Sequence, residues 1–141
     1  MDKQELMSLA DVTHHPKDIG ASISSGSFIT DGMVIAPCSM KTLGSIANGI
    51  ADNLVSRAAD VILKERRKLI LMVRETPLNL VHLRNMTTLS EMGAVIAPPV
   101  PAFYIQPKSI DDIVNHSVGR ILDTLDISNV DYVARWQGLS K

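Results

Sequence analysis

Three short apolar runs, each followed by polar or proline residues, constrain the fold of this chain more than any other feature. They cover residues 33–36, 69–73 and 94–97. Uninterrupted apolar runs of this length are typical of strands covered on both faces in a parallel sheet. Apolar residues at helical spacing fill the intervals, and strands that alternate with helices indicate an α/β protein. The sequence therefore predicts an α/β fold with a parallel sheet, in which Pro37 ends the first strand.

Capping residues set the expected helix boundaries. Ser39 precedes apolar residues at helical spacing, so it is expected to be an N-cap. Gly93 is expected just after the end of another helix, and Ser109 with Asp112 three residues later resembles a capping box. The predicted helices cover about residues 2–10, 39–50, 53–67, 79–92 and 110–126.

Composition and charge narrow the class of protein. The 141 residues are 45% hydrophobic and 21% charged, which supports a single globular domain over residues 1–141, with a C-terminal tail from 127 to 141. A net charge of −1 and few aromatic residues argue against nucleic-acid binding. The single cysteine, Cys38, excludes a disulfide framework. We expect a cytoplasmic protein, because no signal peptide and no apolar run near the roughly 20 residues of a membrane span is visible.

The ends of the strands are the expected binding edge, because ligands of parallel sheets bind beyond the carboxyl ends of strands and at helix N-termini. After the first strand, free backbone N–H groups and the hydroxyls of Ser39 and Thr42 favour an anionic or phosphorylated ligand. The alternative that Ser39 is simply a helix cap has equal weight. The segment lacks a Walker-type glycine pattern, so it is not a P-loop.

The other two strand ends leave similar alternatives open. Arg74 and Glu75 are either a ligand clamp with an acid/base group or a plain salt bridge, with roughly equal weight. The prolines after the third strand stiffen a loop that carries Phe103 and Tyr104. Such an aromatic pair is more often packing than chemistry.

Polar residues elsewhere have ordinary interpretations when taken alone. Arg57, Asp60 and Lys64 lie on one helical stripe, which usually is a solvated face. Residues 24–27 form either a nest for phosphate oxygens or a turn. Cys38 has no visible activating partner, so a small buried residue is favoured. The four histidines show no metal-ligand spacing, and no metal site is predicted.

Five ordered motifs give the sequence a specific resemblance. They lie at residues 24–28, 31–43, 57–67, 74–78 and 98–104. Together they resemble the flavin prenyltransferases, the UbiX family. The resemblance implies a flavodoxin-like, Rossmann-type three-layer sandwich and an enzyme that transfers a dimethylallyl group from dimethylallyl phosphate to the flavin of FMN, without a metal. It further implies that prenylated FMN serves a UbiD-type decarboxylase in ubiquinone synthesis or aromatic-acid decarboxylation. Homo-oligomers, dodecamers in the family, with sites between subunits are implied as well.

The same resemblance implies roles for the motif residues. Glu75 corresponds to a carboxylate that takes part in proton transfer, and Lys64 and Arg57 correspond to positive charges near the donor phosphate. The residues implied in FMN binding are Cys38, Ser39, Met40, Lys41, Thr42 and Arg74. Those implied in binding dimethylallyl phosphate are Tyr104, Arg120, Ser25, Gly26, Ser27 and Trp136, the last of which helps to close the site.

These residue types suit the implied chemistry. A phosphate leaving group needs cations and hydrogen-bond donors, which Arg, Lys and Tyr supply without a metal. Allylic cation character must be shielded from water by a closed pocket. A carboxylate then has a proton to move when the flavin ring is alkylated.

The beginning of the chain departs from the family pattern. Family members begin with a strand, a Gly-Ala-Ser-Gly-type turn, a helix and a second strand that supplies an active-site glutamate, and the resemblance implies that this unit is lacking here. Because that turn cradles the flavin phosphate and the first strand is central, we expect weak or absent FMN binding and poor solubility. The alternative function is a truncated, catalytically impaired flavin-binding or interaction subunit associated with a decarboxylase.

Overall fold

Strands and helices alternate along the chain, as the apolar pattern predicts. The computed structural model describes residues 2–127. Short 3₁₀ helices occupy Ser22–Ser24 and Phe103–Ile105. The other elements are α1 (Lys3–Ser8), β1 (Gly32–Cys38), α2 (Met40–Ala47), α3 (Leu54–Lys64), β2 (Lys68–Val73), α4 (Leu80–Glu91), β3 (Val95–Ile96) and α5 (Ile110–Thr124).

The three described strands form one parallel sheet in the order β1, β2, β3. Gly32 pairs with Lys68 at the beginning of β1, and Ile70 pairs with Val95 at the other interface. The central strand β2 carries the most buried side chains, with Leu69, Ile70 and Leu71 fully buried. The expected α/β fold with a parallel sheet is confirmed.

The first strand continues past the proline that was expected to end it. β1 extends through Pro37 to Cys38, and its register against β2 shifts between Ile35 and Cys38. Proline lacks the N–H that a strand interior must donate, but an edge strand leaves some N–H positions without a ladder partner. Because β1 lies at one edge of the described sheet, Pro37 is tolerated there and the prediction that it ends the strand is wrong.

Helices cover the sheet on both faces. Leu71 and Val73 on β2 belong to a buried cluster with Leu43 of α2 and Leu89 of α4. Met72 points to the opposite face, because side chains alternate along a strand. There it lines a cavity together with residues of α5. The sheet therefore lies between α2–α4 on one side and α5 on the other, as in a three-layer sandwich.

The predicted capping residues are confirmed. Ser39 and Ser109 accept hydrogen bonds from Thr42 and Asp112 N–H, at 3.2 and 3.1 Å, at the beginnings of α2 and α5. Gly93 has φ +101° directly after the C-cap of α4, where glycine has no steric penalty. The predicted ends of α2 and α3 were each about three residues late, and α3 ends at Lys64 before a left-handed residue, Arg66.

Candidate active site

The N-terminus of α2 lies at the carboxyl end of β1, where the first polar segment was expected. Ser39 Oγ caps the helix and lies 3.1 Å from the Thr42 hydroxyl. The first backbone N–H groups of a helix have no intrahelical acceptor, and the helix dipole favours negative charge at this end. The Lys41 ammonium is highly exposed and lies 3.9 Å from the Asp52 carboxylate. Hydroxyls, amides and an exposed cation thus lie together at the carboxyl end of β1.

The segment after β2 lies beside this helix N-terminus. Arg74 N–H donates to the Cys38 carbonyl at 3.2 Å, so the two strand ends are joined by their backbones. The Cys38 side chain is fully buried, and burial raises the pKa of its thiol to about 11. The thiol is therefore protonated at neutral pH and unsuited to be a nucleophile.

Glu75 and Arg74 are exposed at the end of β2. Within the described residues they form no ion pair with each other, so a plain salt bridge does not explain them. Glu75 Oε1 accepts the Thr76 N–H at 3.1 Å, and the rest of the carboxylate is free to approach a ligand. The ligand-clamp and acid/base interpretation stays a prediction.

The loop after β3 brings an aromatic residue close to α5. Tyr104 and His116 meet edge to face, with ring centroids 6.1 Å apart. His116 is buried, whereas Tyr104 is largely exposed. Arg120, one turn further along α5, lines a cavity of about 160 Å³ beneath the proline loop and forms an ion pair with Asp123 at 3.3 Å. Tyr104 and Arg120 thus belong to one region of the fold.

The loop of Ser25, Gly26 and Ser27 packs against the end of α3. An added Cβ on Gly26 would lie 2.7 Å from Lys64 Nζ, so Lys64 sits directly over this loop. Lys64 also forms an ion pair with Glu65, and its hydrogen bond and charge hold the pKa of Glu65 below the usual value. Loop and ammonium together form a small polar surface.

Arg57 lies near the beginning of α3. Its guanidinium forms an ion pair with Asp60, with 3.0 Å between Nη1 and Oδ2, and both side chains are about 40% exposed. The pairing offsets part of its charge. The expected helical stripe of Arg57, Asp60 and Lys64 is therefore present, but its two cations have different partners.

Within one copy of the chain, the predicted site residues lie in two separate groups. Helix α3 returns the chain from the carboxyl end of β1 to the beginning of β2, so it runs antiparallel to the strands. Lys64 and the 25–27 loop consequently lie at the amino end of the sheet. Residues 38–42, Arg74 and Glu75 lie at the carboxyl end. Trp136 and residues 128–141 lie outside the described residues.

Two further findings concern metal sites and membranes. Across residues 2–127, no group of three or more His, Cys, Asp or Glu side chains is placed to hold a metal ion. In the same part of the chain, no helix is long and apolar enough to cross a membrane.

Comparison with known proteins identifies the family of this chain. Residues 4–122 match the family model described as Flavoprotein. The chain is 61% identical over 136 residues to flavin prenyltransferase UbiX of Escherichia coli strain K12. The aligned region covers 96% of this chain and 72% of that protein. This chain belongs to the UbiX family of flavin prenyltransferases.

Solved structures of the UbiX family share this fold closely. AnUbiX (PadA1), crystallised in complex with FMN and dimethylallyl pyrophosphate, gives a TM-score of 0.95 at 51% identity and covers 99% of this chain and 74% of its own. A dodecameric FMN-dependent UbiX-like decarboxylase from Escherichia coli O157:H7 gives a TM-score of 0.94 at 54% identity, over 98% of this chain and 74% of its own. The fold expected from the resemblance is confirmed.

Two residues to which the sequence assigned no role contact the predicted site residues. His116 packs on Tyr104, and Arg67 donates hydrogen bonds to the carbonyls of the 25–28 segment. Neither contact has a sequence signal, because both join residues far apart along the chain. The motif at 57–67 includes Arg67, but a run of basic residues at a helix end is usually a solvated surface.

Proposed function

We propose that this chain is a flavin prenyltransferase that transfers a dimethylallyl group from dimethylallyl phosphate to FMN. The observation that carries the proposal is the combination of family membership with polar strand ends of the required chemistry. The product, prenylated FMN, would serve a UbiD-type decarboxylase. We also propose a cytoplasmic location and a homo-oligomeric state, in line with the dodecameric relative.

The carboxyl end of the sheet would hold FMN. The residues available there are Cys38, Ser39, Met40, Lys41, Thr42 and Arg74. Their hydroxyls, amides and cations suit a phosphorylated, hydrogen-bonding ligand. Bound FMN supplies the flavin ring that accepts the dimethylallyl group.

The donor phosphate would be held by cations and hydroxyls. Lys64 lies over Gly26, between Ser25 and Ser27, whose hydroxyls are 2.9 Å apart. Arg57 adds charge on the same helix. From the other end of the sheet, Tyr104 and Arg120 would complete the phosphate site, and Trp136 would help to close it. The positive charges of Lys64, Arg57 and Arg120 would stabilise the phosphate as it leaves.

Both groups of residues can act on one donor molecule only if two copies of the chain meet. In a single copy the amino and carboxyl ends of the parallel sheet face away from each other. We therefore place the amino-end loop and Lys64 of one copy against the flavin site of a second copy. Such a contact is heterologous, joining two different surfaces, and it closes into rings when copies repeat around an axis.

The exposed position of Glu75 suits proton transfer. Its carboxylate is tethered by one hydrogen bond from Thr76 and is otherwise free to contact a ligand. When the flavin ring is alkylated, a proton must leave the ring, and a nearby carboxylate can accept it.

Direct assay of purified chain tests the proposal. The protein is incubated with dimethylallyl phosphate and either oxidised or chemically reduced FMN, and the flavin is analysed by mass spectrometry. A flavin that has gained one dimethylallyl unit is the expected result. Bound FMN without any transfer supports the alternative of a flavin-binding subunit and contradicts the enzyme. Flavin absorbance of the purified chain separately tests the expected weak FMN binding, which stoichiometric FMN would contradict.

A further inference from the structure

We propose that Arg67 is a positioning residue that fixes the 25–27 loop in the shape that receives the phosphate of the prenyl donor. The proposal rests on the proposed function, because it takes dimethylallyl phosphate as the ligand of this loop. In this role Arg67 does not contact the prenyl donor. It acts through the backbone of the loop.

Two long-range hydrogen bonds carry the inference. The Arg67 guanidinium donates from Nη2 to the Gly26 carbonyl at 2.7 Å and from Nη1 to the Phe28 carbonyl at 2.8 Å. The donor and acceptor residues are 41 and 39 positions apart along the chain. One rigid, planar cation thus spans the loop at two points, and both bonds are charge-assisted.

The end of α3 fixes the direction from which Arg67 reaches the loop. Arg66 adopts the left-handed conformation, with φ 57°. The N–H groups of Arg66 and Arg67 donate to the carbonyls of Leu63 and Ile62 at 3.0 and 2.9 Å. This pair of bonds is a Schellman motif, which here ends the helix without glycine. The backbone of Arg67 is therefore held on the helix that also presents Lys64.

The loop has little other support. Its remaining bonds within the described residues are local: Ser25 N–H donates to the Ser22 carbonyl at 3.0 Å, Phe28 N–H donates to the Ser25 carbonyl at 3.2 Å, and the hydroxyls of Ser25 and Ser27 face each other. Beneath it lies a mainly apolar cavity of about 100 Å³, lined by Phe28, Ile23 and Arg67 among others. Because packing below the loop is incomplete, the Arg67 bonds determine where its carbonyls, and hence its N–H groups and hydroxyls, point.

The two Arg67 hydrogen bonds also set the distance between the 25–27 loop and the Lys64 ammonium. Gly26 leaves space for the paired Lys64 and Glu65 side chains, because a Cβ there would collide with the Glu65 carboxylate and with Lys64 Nζ. A bound phosphate would compete with Glu65 for the Lys64 ammonium. If the loop moved outward, its N–H groups and hydroxyls would separate from the Lys64 ammonium. A phosphate needs these groups together, since donors and charge must converge on the same oxygens.

The test compares Arg67→Met with a neighbouring control. Arg67→Met removes every guanidinium donor while keeping a long side chain. Arg66→Met makes the same change of charge one residue away, and within residues 2–127 the Arg66 guanidinium forms no hydrogen bond or ion pair. Arg67→Lys restores the charge and one donor. The measurements are binding of dimethylallyl phosphate by calorimetry, KM and kcat for prenyl transfer, and hydrogen exchange of the 25–28 amides.

We expect Arg67→Met to raise Kd and KM for dimethylallyl phosphate about tenfold, with kcat changed less than about twofold and FMN affinity unchanged. Exchange of the 25–28 amides should accelerate, Arg67→Lys should be intermediate, and Arg66→Met should resemble the wild-type chain. If Arg67→Met does not fold, Arg67→Lys carries the test with the same directions.

Several outcomes overturn the inference. Wild-type donor affinity in Arg67→Met, unchanged loop exchange, or an equal loss of affinity in Arg66→Met would each do so. A wild-type chain that binds no dimethylallyl phosphate contradicts the proposed function instead. In that case hydrogen exchange of the loop alone tests whether Arg67 holds the 25–27 loop. Faster exchange in Arg67→Met supports this role, and unchanged exchange refutes it.

Discussion

Glu75 is the residue whose proposed chemistry is simplest to isolate. In Glu75→Gln the side-chain oxygen can still accept the Thr76 N–H, so the local backbone should be retained. The amide cannot accept a proton, and general acid/base catalysis typically contributes about a hundredfold or more. We expect prenyl transfer to fall by at least about this factor while FMN affinity is unchanged, measured by turnover and flavin titration. Turnover at the wild-type rate would remove Glu75 from the chemistry.

Cys38 gives a prediction that does not depend on the proposed function. Its thiol has a pKa of about 11 in the folded chain and 9.0 when unperturbed. As pH rises, the unfolded thiol loses its proton first, so this group lowers the free energy of unfolding between about pH 9 and 11. The effect approaches about 1.4 kcal/mol per pH unit within that window.

Urea unfolding at several pH values measures this effect, with Cys38→Ala as the reference for every other titrating group. The wild-type chain should lose stability more steeply than the variant above pH 9. The folded thiol should also resist iodoacetamide at pH 8, where an unfolded thiol is partly ionised. Equal alkylation rates in folded and unfolded protein would contradict the burial that raises the pKa of Cys38.

For single residues, the sequence predicts local roles such as helix capping better than it predicts contact partners. Ser39 is identified as a cap from its neighbours, because a cap is a local contact over three positions. The partners of Arg67 and Tyr104 lie about 40 and 12 positions away, and only the folded chain selects them. The buried thiol of Cys38 follows from the apolar run before it, whereas the bond from Arg74 N–H to its carbonyl joins two strand ends far apart along the chain.

The N-terminus of α2 carries two roles that substitutions can separate. Ser39→Ala removes the cap and should cost about 1 kcal/mol of stability, and it removes a hydroxyl from the proposed flavin site. Ser39→Asp keeps a strong cap but adds negative charge, so stability should be retained while FMN affinity falls. Chemical denaturation and flavin titration check the two quantities.

Ser109→Ala is the matched control, because Ser109 caps α5 through the same hydroxyl-to-N3 bond and is absent from the proposed flavin site. It should lose similar stability without losing FMN affinity. If Ser39→Asp binds FMN as well as the wild-type chain, the anionic part of the ligand does not lie at α2.

For whole strands and helices, the spacing of apolar residues and the capping residues predict most of the fold. The buried runs predict all three described strands because parallel strands covered on both faces need apolar residues on both faces. The continuation of β1 through Pro37 is not predictable from its own residues, since it depends on the position of β1 at the edge of the sheet.

For the whole molecule, the central result is that the predicted site residues lie at two ends of the sheet. The order of the residues alone does not show this separation, because Lys64 and Arg74 are only ten residues apart. The return of the chain through α3 and β2 places them at opposite ends of the same sheet. Residues implied in one reaction therefore need a second copy of the chain to meet.

Mixing two inactive variants tests this arrangement. Lys64→Met removes the cation at the amino end, and Glu75→Gln removes the carboxylate at the carboxyl end. If each site takes Lys64 from one copy and Glu75 from another, a co-assembled equal mixture should recover about a quarter of wild-type turnover, because about a quarter of the interfaces combine two intact halves. Each variant assembled alone should stay inactive. Mixtures that remain as inactive as their parents, although mass analysis shows that they contain both variants, would place both residues in the site of a single copy.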